Sequence, residues 1–145
     1  RFPRMSPDPV RIKSLDNTAW LAIFRNQDEP HASFSIECSV DIGHGTFDAE
    51  NSDVHFLNQE EFAKALDAFI LDRALAPQLN GTYDTFVKFF RPAGRNSVMV
   101  SFAIGDAFSG RSAAARYRTQ GEFEVDAEFL NELAAGFAEL FKDAG

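Results

Sequence analysis

From Ser33 the chain alternates with unusual regularity: Phe34, Ile36, Cys38, Val40 and Ile42 share one parity, and Ser33, Ser35, Glu37, Ser39 and Asp41 share the other. Successive side chains of a strand point to opposite faces, so this stretch is a strand with one face buried. Two shorter apolar runs precede it, Val10 to Leu15 and Thr18 to Arg25, arranged around Asp16-Asn17, residues that tolerate left-handed turns. The segment Gln27-Asp28-Glu29-Pro30 interrupts the pattern. After Gly43-His44-Gly45 the apolar parity moves to Phe47 and Ala49, as a bulge or tight hairpin at the glycines would move it. A further short strand is expected over Asp53 to Leu57.

The period then lengthens. Phe62, Leu66, Phe69 and Ile70 form one stripe of a helix. Asn58 is placed to cap its free amides, with Glu61 at the capping-box position. The helix is expected to end near Leu75, ahead of Pro77 and a turn at Asn80-Gly81. Three strands follow, Tyr83 to Phe90, Ser97 to Ile104, and Arg111 to Gln120 with an extension toward Val125. Their turns fall at Pro92-Ala93-Gly94 and in the Gly105 to Gly110 loop. Asp126 starts a last helix carrying Phe129, Leu130, Leu133, Phe137, Leu140 and Phe141 on one face.

Strand runs that each end in a helix, joined by short loops, predict an α+β fold: one antiparallel sheet of roughly six or seven strands with two helices on one face. Each half reads as strands then helix, which hints at an internal repeat, although no residue-level repeat accompanies it.

The 145 residues form one expected domain, 1–145, with 1–9 a tail outside the fold and Met5 a candidate for the natural start. Sixteen phenylalanines supply the expected core. The single cysteine, Cys38, excludes an internal disulfide, and no apolar run reaches the length of a membrane span. A cytoplasmic location is therefore expected. The net charge of −8 disfavours nucleic acid and anionic lipid and favours a basic protein partner. Self-association stays open on these grounds.

The stretch SFAIGDAFSGRSAAA, Ser101 to Ala115, comes close to a phosphate-binding loop, with Gly105, Gly110, Arg111 and Ser112 in nearly the right spacing. Arg111 stands in place of the lysine, Asp106 brings negative charge, and the exit alternates as a strand where such a loop needs a helix. The segment is expected to be a hairpin connection. Lys88, Arg116 and Arg118, with Arg111, are the candidates for an anionic ligand, set against cross-strand pairing with Glu122, Glu124 or Asp84.

Cys38, Asp41, His44 and Asp48 invite a metal or nucleophile reading, but strand parity separates Cys38 from Asp41. His44 lies about 20 Å along the strand from Cys38. Asp48, Glu50, Asn51 and Asp53 could collect calcium but lack the glycine and terminal glutamate of an EF-hand loop. No cofactor or metal is expected, and no catalytic set is assigned.

The layout also carries a resemblance. An acidic strand, the helix NQEEFAKALDAF, the strands TYDTFVKFF, NSVMVSFAI and RSAAARYRTQGEFEV, and the helix DAEFLNELAAGFAELF together resemble the small bacterial immunity proteins of the wall-associated-toxin type. The resemblance spans roughly Ser33 to Phe141 and rests on pattern, so no family residue is carried over. It implies a cytosolic, non-enzymatic protein that neutralises a toxin domain. Glu37, Asp41, Asp48, Glu50 and Asp53 are the expected contact surface, since opposite charge speeds encounter with a basic partner. The alternatives are a small-ligand or phosphate-binding domain or enzyme using Gly105 to Ser112, and an acidic secretion chaperone. Such chaperones open with a helix, whereas this chain opens with strands.

Overall fold

A computed structural model of the chain describes residues 7–26, 32–105 and 117–143. Eight strands and two helices follow in the order β1 (Val10–Lys13), β2 (Ala19–Arg25), β3 (Phe34–Asp41), β4 (Thr46–Val54), α1 (Gln59–Phe69), β5 (Gln78–Asn80), β6 (Phe86–Phe90), β7 (Val98–Gly105), β8 (Arg118–Val125) and α2 (Leu130–Leu140). A 3₁₀ turn, Ala127–Phe129, leads into α2, and the Asp126 carboxylate accepts from the Glu128 amide at its start.

The fold is α+β and antiparallel, but the single sheet expected from the sequence is two four-stranded sheets, β1-β2-β3-β4 and β5-β6-β7-β8. Two features of the chain explain the difference. Gln78-Leu79-Asn80 is short and polar and reads as the approach to a turn, yet it pairs with β6 through Leu79↔Val87. Pairing also thins where the sheets meet. Beyond β4 it is reduced to the Phe56↔Gly81 bridge with the flanking bonds Leu57 N–H to Asn80 C=O (2.8 Å) and Thr82 N–H to His55 C=O (2.9 Å). At the other junction Leu15 N–H donates to Glu124 C=O at 2.8 Å.

The two halves repeat one plan, four strands then a helix, and they are crossed. In α1 the buried residues are Phe62, Leu66 and Phe69, and in α2 Leu133, Phe137 and Leu140 recur at one constant offset, with Leu130 added. Each helix packs on the first strand of the other half, α2 on β1 and α1 on β5. Neither helix has a basic residue in its last turn to meet the partial negative charge of its free carbonyls. An arginine from the other half supplies it. Arg91, just after β6, donates to Phe69 C=O at 2.8 Å, and Arg25, the last residue of β2, donates to Leu140, Lys142 and Asp143 C=O at 3.4, 2.6 and 3.3 Å. Phe69 and Leu140 are equivalent positions of the repeat.

Phenylalanine rings join the layers. Phe34 of β3 meets Phe141 at 5.5 Å, Phe141 meets Phe137 of α2 at 5.8 Å, and Phe137 meets Phe62 of α1 and Phe89 of β6 at 5.0 and 6.3 Å. The helices therefore serve both sheets through one shared core, rather than one face of a single sheet.

Candidate functional site

Strand register places the acidic residues. In sheet one the inner parity, Leu21 and Ile23 of β2 with Phe34, Ile36 and Cys38 of β3, is buried. The outer parity builds rows across four strands: Arg11, Ala22, Glu37 and Glu50 in one, Lys13, Trp20, Ser39 and Asp48 in the next. The outer face thus runs from a basic edge at β1, over an aromatic column of Trp20 and Phe24, to an acidic edge at β3 and β4. Glu37 and Glu50 stand directly opposite each other, an arrangement that opposes folding. Glu37, Asp48 and Glu50 form no ion pair among the described residues.

The register thus puts four of the five expected contact acids, Glu37, Asp41, Asp48 and Glu50, on one face. Asp41 is exposed at the end of β3, where its carboxylate accepts from the Gly43 amide at 2.8 Å and shapes the hairpin turn. Asp53 lies beyond an irregularity in the β3–β4 pairing, 3.4 Å from the His55 imidazole. The calcium reading dissolves for the same geometric reason. The Asn51 side chain donates to Gly105 C=O at 2.8 Å and ties β4 to β7, on the parity opposite to Asp48 and Glu50.

Trp20 was not anticipated by periodicity alone, because a tryptophan in an apolar strand is ordinarily read as core. Its neighbours Ala19 and Leu21 take the buried parity, and its side chain is left 38% exposed beside Ser39 and Asp48.

The thiol reading fails on position. Cys38 is buried opposite Ala49, and burial pushes its thiol above the ordinary range, away from the thiolate that a nucleophile or metal ligand needs. His44 is exposed in the turn between β3 and β4. Of the anion-binding candidates, Arg111 and Arg116 lie outside the described residues, as does most of the Gly105 to Ser112 loop. Arg118 opens β8 opposite Gly105, and Lys88 pairs with Ser101, about 13 Å away along the sheet, so those two do not converge. β7 and β8, on either side of that loop, are antiparallel neighbours. Gly105 itself belongs to β7. A Cβ there would stand 2.0 Å from the Tyr83 carbonyl oxygen, so close approach of backbones, rather than a chain reversal, requires glycine.

Comparison of the chain with models of protein families, with curated proteins and with solved structures returns no match.

Proposed function

We propose that this chain is a non-enzymatic protein-binding domain of the toxin-neutralising, immunity-protein kind, and that it meets a basic partner through the outer face of β2, β3 and β4. One observation carries the reading: Glu37 and Glu50 are registered opposite each other, with Asp48 in the next row and, among the described residues, no cation paired to any of them. Like charges opposite one another cost the folded chain about 0.2–1 kcal/mol. A basic surface would turn that cost into attraction, and Trp20 offers an apolar anchor beside it.

Stability and binding should therefore move in opposite directions. The Glu37→Gln/Glu50→Gln variant is expected to gain a few tenths of a kcal/mol in urea unfolding. The same variant should lose the partner captured from source cells by the parent chain in moderate salt. Recovery of no partner, or capture indifferent to both the substitutions and the salt concentration, would refute the reading.

A further inference from the structure

The internal repeat exposes a place where its two halves are not alike. In the second half, β5 presents an outer edge next to the start of α1. Gly81 N–H donates to Thr85 C=O, which fixes the ladder so that the amide groups of Gln78 and Asn80 point away from β6. Three of those four groups find a protein partner. The Asn58 carboxamide donates to Gln78 C=O and accepts from Asn80 N–H, both at 2.8 Å, and Leu57 N–H donates to Asn80 C=O. The Asn58 side chain makes no cap bond to its own helix. Its side chain acts as a single peptide group laid along a sheet edge.

In the first half, β1 occupies the place of β5. Ser14 N–H donates to Ala19 C=O, so Val10 and Ile12 turn their amide groups to β2, while Arg11 and Lys13 turn theirs to the free edge. The equivalent of Asn58, the residue just before α2, is Phe129, which has no hydrogen-bonding side chain and is 50% exposed. The carbonyl of Arg11 and the amide and carbonyl of Lys13 consequently have no protein partner among the described residues. A groove of about 690 Å³ lies along them, walled by β1 on one side and by Asp126, Phe129, Glu132, Leu133 and Gly136 on the other. Pro9, which has no N–H to offer, stands at one end of the strand on the same parity, and Leu15, exposed and already bonded to Glu124, stands at the other.

We propose that this groove is a strand-addition site: a short extended segment of a partner protein adds to the edge of β1 and makes with Arg11 and Lys13 the main-chain bonds that Asn58 makes with Gln78 and Asn80. The side chains around the groove define the segment. Residues of an added strand on the outer face lie beside Arg11 and Lys13, which are exposed and form no ion pair among the described residues, so acidic side chains fit there. Residues on the inner face lie against Phe129 and Leu133, where Asp126 and Glu132 repel acids, so apolar side chains fit there. The occupant is an extended segment that alternates acidic and apolar residues. This site is separate from the acidic face of β3 and β4, and the inference does not depend on that reading.

The probe is a blocked six-residue peptide alternating Glu and Leu, titrated into the ¹⁵N-labelled full chain. Expected are amide shifts centred on Arg11 and Lys13. Affinity should fall about tenfold when peptide nitrogens facing β1 are methylated, since main-chain bonds carry the affinity in this mode. Phe129→Asn, which restores the side chain of the other half, should weaken binding by about the same factor. Arg11→Glu/Lys13→Glu should transfer the preference to a peptide alternating Lys and Leu, while Glu37→Gln/Glu50→Gln leaves binding of the Glu-Leu peptide unchanged. The proposal is overturned by absence of binding at millimolar peptide, by shifts confined to other elements, or by affinity indifferent to methylation and to Phe129→Asn. A concentration-dependent dimer that buries β1 against a second copy would also overturn it.

Discussion

Replacing Arg91 tests whether the crossed capping holds the two halves together. The guanidinium donates to Phe69 C=O at 2.8 Å and lies 4.3 Å from the centroid of the Phe69 ring, so Arg91→Ala removes both contacts at once. A hydrogen bond from a charged donor contributes about 1.5–3 kcal/mol and a stacked cation about 0.5–2 kcal/mol. Two effects work against these gains. Partial burial disfavours the charged guanidinium, and Arg73 repels it, which together lower its pKa from the ordinary arginine value. The net loss expected is about 2–3 kcal/mol, near the low end of the combined range. For a chain of this size that corresponds to a fall in Tm of about 5–10 °C. Thermal and urea unfolding followed by far-ultraviolet circular dichroism measure it. Arg91→Lys keeps the charge but not the planar stack and should recover about half of the loss. A change below about 0.5 kcal/mol for Arg91→Ala, the size of an ordinary surface substitution, would refute the capping argument.

Arg25→Ala should destabilise by about 1–2 kcal/mol through the same effect at α2, with unfolding remaining a single transition in the Arg25→Ala/Arg91→Ala double variant. Gly105→Ala should cost about 3 kcal/mol by urea denaturation, because the new Cβ meets backbone at Tyr83 rather than a side chain that can swing aside. The buried Cys38 thiol should resist a thiol-specific reagent at pH 8 in the folded chain and react promptly in urea; prompt reaction without denaturant would contradict its placement. The Asp16 carboxyl is held below its ordinary value by hydrogen bonds from the Thr18 and Ser14 hydroxyls. Its contribution is therefore present above the unfolded-state pKa and disappears as pH falls through the lowered one. The Tm deficit of Asp16→Asn should accordingly be present at pH 7 and close in strong acid.

Where one periodicity dominated, the fold was legible. The alternation from Phe34 to Cys38 appears as the buried face of β3, and the stripe of Leu130, Leu133, Phe137 and Leu140 as the buried face of α2. Long-range geometry was not legible. The short run Asp53 to Leu57 belongs to β4 only as far as Val54, and β4 begins at Thr46, because pairing with β3 carries a strand through exposed polar positions that show no alternation. The first helix ends at Phe69 rather than near Leu75. Asn58 has the residue type of a cap, but the edge of β5 takes its carboxamide. The repeat shows in the sequence only as an order of strands then helix, because it conserves burial rather than residue type: Phe62, Leu66 and Phe69 correspond to Leu133, Phe137 and Leu140. Of the candidate site, the acids could be read from composition and parity. Trp20 and the open edge of β1 became visible only once register was known.

The crossing of the halves also sets an order of events during synthesis. Arg25 finds its acceptors at Leu140 and beyond, separated from it by 115 residues, and β1 packs on α2. At ribosomal rates on the order of 5–20 residues per second, β1 and β2 wait roughly 6–23 seconds for partners made 115 residues later. The first sheet cannot be sealed until α2 has emerged, so an unfinished chain presents a bare strand edge and uncovered apolar residues to its surroundings. Truncation within α2 should accordingly damage the first sheet as well as the second, and completion of α2 is the step that closes the first half.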